Sequence, residues 1–421
     1  MGRIVPRKQS ARIDNLKVLI EDREKQFRQI SDLAIFGTSP AFLKPLHVGR
    51  PNIGNRQDFL GRVEAILDER WFSNNGPMVR EFESRVAVYL GVKHCIAMCN
   101  GTIALEIAIR ALELRDEVII PSFTFVATAH ALQWQGITPV FADIDPATYT
   151  LDPTSVERMI TPRTTGILGV HVWGHPCAVE QLQEIADRHR LKVIYDAAHA
   201  FACSHGGKMI GNFGECEVLS FHATKFLNSF EGGAIVTNND ALAEKSRLIR
   251  NFGFKGADKV IYLGINGKMP EICAAMGLTG LEAIDDTVSV NERNYERYAS
   301  HLSDIPGLEL VKYSETDRVN YQYVVVKVGN DFPCTRDDLV RILHAENILV
   351  RRYFYPGCHE MQPYQSYFPN AGLLLPHTME LCDRVVSFPT GTAVSELEVD
   401  RIAEILRFVA KHGKDIQLSS Q

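Results

Sequence analysis

Short runs of Val, Ile, Leu and Phe set the strongest limit on the fold: EVII at 117–120, TPVFAD at 138–143, GILGVHVW at 166–173, LKVIYD at 191–196, EVLSF at 217–221 and AIVT at 234–237. They lack the strict apolar–polar alternation of a strand with one wet face. Strands of this kind are buried on both faces, which demands a sheet covered by helices on each side. Helical spacing separates the first four runs, as at 124–135 and 178–189, so these read as parallel strands joined by helical crossovers. The link between the last two runs is short, which predicts an antiparallel final strand.

The rest of the chain divides around this block. Residues 1–46 are charged and helical in pattern over ARIDNLKVLIEDREKQFRQI, then broken by prolines in SPAFLKPLHVGRP; they are expected to form an N-terminal extension. Residues 47–290 carry the strand-forming runs of a large domain. Residues 291–421 change character. YQYVVVKV at 321–328, a helix near 336–346, ILVRRYF at 348–354 and a helix at 396–412 predict a smaller α+β domain, with a long helical stretch around 278–303 joining the two. A chain of 421 residues, 45% apolar, can bury cores of this size. Its net charge of −6, with both signs mixed, offers no basic stripe to nucleic acid. It has no apolar run of about 18 residues to span a membrane, and its N-terminus lacks the apolar core of a secretory signal. Nine scattered cysteines without a C-x-x-C pair argue against a zinc site and for a reducing cytoplasm.

In open α/β sheets, ligands bind beyond the carboxyl ends of the strands. Asp196 ends the run VIYD, and Lys225 follows EVLSF within SFHATKFLNSFEGG. A buried aspartate needs a cationic partner, and a lysine is a nucleophile only when its amine is neutral, which desolvation favours. Pyridoxal phosphate meets both needs, because its aldehyde takes a lysine and its protonated ring nitrogen pairs with an aspartate. Its phosphate needs a cradle. Asn100-Gly101-Thr102 opens a helix in CNGTIALEIAIRALEL, where free N–H groups and the helix dipole favour an anion. Gly101 permits close approach, the Thr102 hydroxyl can donate, and Ser220 offers a second hydroxyl. Phe125, in PSFTFVATAH, supplies an aromatic wall at the same edge of the sheet. Singly, each residue has an ordinary structural reading: a solvated lysine, an aspartate helix cap, a turn before a capped helix, a core phenylalanine, core histidines at His199 and His222. Their order on this fold pattern favours the joint reading.

From about Leu46 to about Lys411 the chain resembles the DegT-like, fold-type-I, pyridoxal-phosphate-dependent nucleotide-sugar aminotransferases. The resemblance rests on SNNGPMVREFE, CNGTIALEIAI, PSFTFVATA, PVFADIDPATYTLDP, YDAAHA, SFHATK, FEGGAIVTN, GINGKMPEICAAMGL and VVSFPTG, in that order. It implies a large domain with a mostly parallel sheet covered by helices, a smaller C-terminal α+β domain, and pyridoxal 5'-phosphate as cofactor. It further implies that Lys225 forms the Schiff base, Asp196 pairs with the pyridinium nitrogen, His199 lies near the ring hydroxyl and Phe125 stacks on the ring. Gly101, Thr102 and Ser220 are then the phosphate holders. Asn266 matches an asparagine that reaches the phosphate of the neighbouring subunit, which implies a homodimer with shared sites. LHVGRPNIG, HATKFLNSFEGG and VRRYFYPGCHEMQPY are most similar to the branch that aminates C4 of dTDP-4-keto-6-deoxyglucose, with L-glutamate as donor and 2-oxoglutarate as co-product. Arg351 and Arg352 are candidates for the substrate's diphosphate. Some relatives carry histidine in place of the lysine and dehydrate their substrate; Lys225 argues for transamination. The alternatives are the same chemistry on a GDP-linked hexose or an octulosonate, and a non-catalytic regulator on the same scaffold.

Overall fold

The computed structural model describes residues 25–416. The charged helical pattern over residues 11–24 lies outside the described residues. Seven strands build the central sheet: β1 (His94–Met98), β2 (Glu117–Pro121), β3 (Thr138–Ala142), β4 (Thr164–Val170), β5 (Lys192–Asp196), β6 (Cys216–Ser220) and β7 (Gly233–Thr237). Their order is β1-β7-β6-β5-β4-β2-β3. β7 is antiparallel to both neighbours and the remaining pairings are parallel, as the apolar runs and the short final link predict.

Successive strand residues enter opposite cores. Ile96, Val218 and Ile235 pack under the helices Gly101–Ala111 and Val126–Gln133, whereas Ala97, Leu219 and Val236 join Phe82, Val86 and Leu278 on the other face. Burying each large aliphatic of this kind contributes about 1.5–3 kcal/mol. β1 is the strand that the apolar runs do not reveal. HCIAM is short and has few β-branched residues; it is a strand because pairing with β7 sets Ile96 beside Ile235.

The chain steps outward from β2 to β3, then returns to β4 on the other side of β2. This reversal opens a crevice at the carboxyl ends of β2 and β4. Since β7 is antiparallel to both β1 and β6, those two point the same way, and the turn after β1 reaches the same edge.

A second sheet, β8 (Leu308–Leu310), β9 (Val324–Val328) and β10 (Val385–Phe388), is antiparallel in the order β8-β9-β10. Helices Arg336–Ala345 and Glu396–His412 bury Leu339, Ile342, Ile402 and Leu406 in its core. The stretch 278–303 is the end of one helix, Glu271–Leu281, followed by another, Ile284–Leu302. ILVRRYF is a strand only at Ile348–Leu349, which pairs in parallel with Leu46–His47. Residues 25–46, expected as an extension, pack on this second core through Leu33, Ala41, Phe42 and Leu46. The carboxylate of Glu346, fully buried, holds them: it accepts from the N–H groups of Ala34 and Ala41, both at 2.7 Å, and pairs with Lys25 at 2.8 Å. None of the described helices is long and apolar enough to cross a membrane.

Candidate active site

The ends of β1, β2, β5 and β6 carry the candidate side chains at one edge of the sheet. Asp196 closes β5 and is buried. Its Oδ2 accepts from the Thr128 hydroxyl at 2.9 Å and its Oδ1 from the Ala198 N–H at 3.1 Å. Burial pushes the Asp196 carboxyl above the usual aspartate range; these two hydrogen bonds, and the charges of Lys225 and His171, oppose that rise. A cation set against the carboxylate would offset the desolvation further.

Lys225 lies five residues beyond the end of β6, in a turn where its N–H donates to the His222 carbonyl at 2.9 Å. Its side chain is half-buried. Desolvation lowers its pKa to about 8, with the negative charge of Asp196 pulling the other way. Roughly a tenth of the amine is therefore neutral at pH 7, against well under a thousandth for a free lysine.

His199 is buried, with its ring 4.4 Å from that of Tyr323 and stacked 5.6 Å from Phe354. The Trp173 N–H donates to its Nδ1 at 3.1 Å. Burial, then the charge of Lys225, hold its pKa well below the histidine range. A neutral ring that accepts at Nδ1 carries its proton on Nε2, so His199 is a donor through Nε2.

The turn after β1 is an anion cradle in form. Asn100 caps the helix Gly101–Ala111 by accepting from the Ile103 N–H at 2.8 Å, which leaves the N–H groups of Gly101 and Thr102 outside the helix ladder. A methyl group on Gly101 would stand 3.1 Å from the Ser220 Cβ, and one on Gly233 would collide with the Asn100 carbonyl at 2.6 Å. Glycine at both places lets β6 and β7 close on the turn, which puts Ser220 beside the helix N-terminus. Phe125 is the N-cap of Val126–Gln133 at the end of β2; it is 56% exposed, with one neighbouring ring, Phe354, at 6.5 Å.

Three further expected residues lie outside the strand ends. Arg352 pairs with Asp337 at 3.0 Å, a carboxylate that also pairs with Arg336 at 2.7 Å, and lies over the Tyr355 ring at 4.6 Å. Arg351 is exposed; its backbone pairs with Ser387 and its guanidinium lies 5.2 Å from the Tyr353 ring centre. Asn266 is exposed and bridges to Asn251. The residue after it, Gly267, accepts from the Cys99 N–H at 2.9 Å. Thr128, Trp173, Tyr323 and Phe354 were not expected. Thr128, a buried hydroxyl one turn into the apolar helix of VATAHALQ, was the one sequence signal among them.

A flat pyridine aldehyde with a phosphate arm fits these residues. Gly101 and Gly233 keep the cradle turn free of a methyl group, Lys225 is a desolvated amine, Asp196 is a buried carboxylate that a ring cation would neutralise, and Phe125 is an exposed ring on the helix that also carries Thr128.

Comparison with known proteins agrees. Residues 54–407 match the model of the DegT/DnrJ/EryC1/StrS aminotransferase family. The chain is 39% identical over 366 residues to the dTDP-4-amino-4,6-dideoxy-D-glucose transaminase of Shigella dysenteriae, covering 86% of this chain and 99% of that one. It is 36% identical over 372 residues to the GDP-perosamine synthase of Caulobacter vibrioides, with 86% and 98% covered. Among solved structures, DesI in the presence of its TDP-sugar product superposes with a TM-score of 0.87 at 46% identity, covering 92% of this chain and 98% of that one. The chain belongs to the DegT/DnrJ/EryC1/StrS aminotransferase family and is a pyridoxal-phosphate-dependent transaminase.

Proposed function

We propose that the protein aminates C4 of dTDP-4-keto-6-deoxyglucose, taking the amino group from L-glutamate and releasing 2-oxoglutarate. The observation that carries the transaminase part of the reading is the placement of Lys225, after β6, and of the buried, doubly hydrogen-bonded Asp196, at the end of β5, at one edge of the sheet. When bound, pyridoxal phosphate supplies an aldehyde that condenses with amines and a protonated ring that withdraws electrons from the reacting carbon. The chain's own groups do the rest. Lys225, with its pKa lowered to about 8, serves as the base that takes the proton from Cα of glutamate, and in the second half-reaction returns one to C4 of the sugar. Asp196 holds a proton on the ring nitrogen, while Thr128 and the Ala198 N–H keep its carboxylate oriented. His199 offers its Nε2 proton to the ring hydroxyl, and Phe125 a face to the ring. The N–H groups of Gly101 and Thr102, with the hydroxyls of Thr102 and Ser220, suit the phosphate.

The working unit is a homodimer, in which the partner's Asn266 completes the phosphate site. Phe252, Tyr262, Leu263 and Ile265 leave an exposed apolar surface around that residue, which a second copy of the chain would cover. Arg351 is the better candidate for the substrate's diphosphate, since its guanidinium lies over the Tyr353 ring while that of Arg352 is held by Asp337. The 39% and 46% identities to proteins named for a dTDP-linked and a TDP-linked sugar support the nucleotide. The second reading is a GDP-linked hexose, supported by the 36% identity to a GDP-perosamine synthase. The test is glutamate with a panel of keto sugars: the dTDP-linked and GDP-linked 4-keto-6-deoxyhexoses and an octulosonate. An amine at C4 of the dTDP sugar is expected. An amine at another carbon, or turnover of the GDP sugar alone, would overturn the assignment.

A further inference from the structure

One four-residue stretch leading into β9, Asn320-Tyr321-Gln322-Tyr323, touches both sides of the crevice. Asn320 is fully buried, and its Nδ2 donates to the carbonyls of His199 at 3.0 Å and Phe201 at 2.9 Å. Gln322, also buried, donates through Nε2 to the Thr224 carbonyl at 3.4 Å, the carbonyl immediately before Lys225. Tyr323 adds the ring that lies 4.4 Å from His199. Two amides and one aromatic ring thus reach the His199 turn and the Lys225 turn from a single segment.

The amides are fixed in their own right. Asn320 Oδ1 accepts from the Gln322 N–H at 3.0 Å. Asn291, fully buried on the helix Ile284–Leu302, donates through Nδ2 to the Asn320 carbonyl at 2.9 Å and to Gln322 Oε1 at 3.3 Å. Asn291 therefore sets which way the Gln322 amide faces, so that its NH2 group meets Thr224. Buried networks of this kind are rigid because a lost partner leaves a desolvated polar group. The acceptors outside the network are the carbonyls of His199, Phe201 and Thr224, in the two turns that carry the site's histidine and lysine.

We propose that Asn320 and Gln322, held by Asn291, are positioning residues for transamination, fixing the His199 turn and the Lys225 turn relative to each other. The inference rests on the roles given above to His199 and Lys225. A misplacement of about 1 Å can cost on the order of a hundredfold in rate, so loss of either amide should lower kcat about tenfold or more while each KM stays within about twofold.

Asn320→Leu and Gln322→Met remove the amides at nearly constant volume. Each holoenzyme is compared with wild type by hydrogen exchange of peptides 197–203 and 222–228, by the pH at which the cofactor's absorption band changes, and by kcat and KM. Gln322→Met should speed exchange in 222–228, Asn320→Leu in 197–203, and both should move the band's pH dependence and lower kcat. Folded variants with wild-type exchange, band and kcat overturn the proposal. If Asn320→Leu does not fold, Gln322→Met, which loses a single outward bond, decides alone. Borohydride trapping of the wild-type holoenzyme with peptide mapping separates the two possible failures. Label on a lysine other than Lys225 sinks the site assignment and this inference together; label on Lys225 with unaffected variants sinks the positioning role alone.

Discussion

The Thr128 hydroxyl, on the helix after β2, donates to Asp196 Oδ2 at the end of β5 across 2.9 Å. The Thr124 hydroxyl lies 2.9 Å from the Thr128 hydroxyl. With Thr128 giving its proton to the carboxylate, Thr124 is the donor in that second bond. The chain of two hydroxyls and a carboxylate favours the ionised form of Asp196 against its burial, and aims it. Thr128→Val keeps the shape and removes the link. Its expected cost in stability is about 1 kcal/mol. Turnover should fall about tenfold, with cofactor still bound, and kinetics at saturating cofactor measure it. Wild-type kcat in that variant would show that the Ala198 N–H suffices to hold the carboxylate.

Lys225→Ala should bind cofactor without a borohydride-trappable link and should not turn over. The lysine nearest in sequence, Lys208, lies in a two-residue hairpin strand with its amine 5.6 Å from the Phe213 ring. Near-normal activity in Lys225→Ala refutes the role given to it.

The pKa of Lys225 gives a test of sign. Burial lowers it to about 8 and the charge of Asp196 raises it. Asp196→Asn removes the raising influence, so the amine should titrate lower still. In the apoprotein, the rate of Lys225 acylation, read by peptide mapping, should rise through about pH 8 in wild type and through a lower pH in Asp196→Asn. The folded pKa is depressed, so the unfolded chain binds the proton more tightly between about pH 8 and the free-lysine value. This group therefore adds stability to the apoprotein as pH rises across that window, and withdraws it as pH falls through about 8. An acylation profile unmoved by Asp196→Asn would mean that the two groups do not sense each other. The same variant should lose most transaminase activity, because an amide cannot hold a proton on the ring nitrogen by charge.

Much of this site is legible in the chain because strand ends are. VIYD stops at an aspartate and EVLSF is followed by a lysine, and the sheet's geometry carries both to one edge. Gly101 and Phe125 are readable for the same reason, since each stands where a helix opens after a strand. Thr128, Tyr323 and the amides at 320 and 322 gain their meaning from contacts with residues distant in the chain, and no local periodicity encodes such a contact. Arg351 and Arg352 show the converse. They look alike in VRRYFYP, yet only the second finds Asp337. β1 was hidden because Cys, Ala and Met carry little strand preference of their own.

Glu346 predicts a role for the N-terminal segment that activity assays alone would miss. Its buried carboxylate accepts from two N–H groups of residues 34–41 and pairs with Lys25. Glu346→Ala leaves the two N–H groups without their acceptor and Lys25 with only uncharged acceptors such as the Ser39 carbonyl, at an expected cost of about 3 kcal/mol. Denaturant unfolding measures the loss, and limited proteolysis should cut earliest within 25–46. An unchanged midpoint would mean that packing by Leu33, Phe42 and Leu46 alone holds the segment.

Asn266 offers a test of the proposed sharing of sites between two subunits. Its neighbour Gly267 is bonded to Cys99 of the same chain, and a methyl group there would touch Ile103 at 3.0 Å, so the loop lies against its own cradle helix. Asn266 itself is exposed beside the apolar residues Ile265 and Leu263. In a two-fold dimer, a residue so placed serves either its own site or its partner's. Mixing Lys225→Ala with Asn266→Ala separates the two. If Asn266 crosses the interface, the heterodimer has one site with both lesions and one with neither, and activity rises above that of either parent. If it acts in its own subunit, each site keeps one lesion and mixing gains nothing. We expect the gain, provided Asn266→Ala alone is impaired and heterodimers are seen by native mass spectrometry. Heterodimers without added activity would place Asn266 at its own cradle and leave the interface a matter of packing.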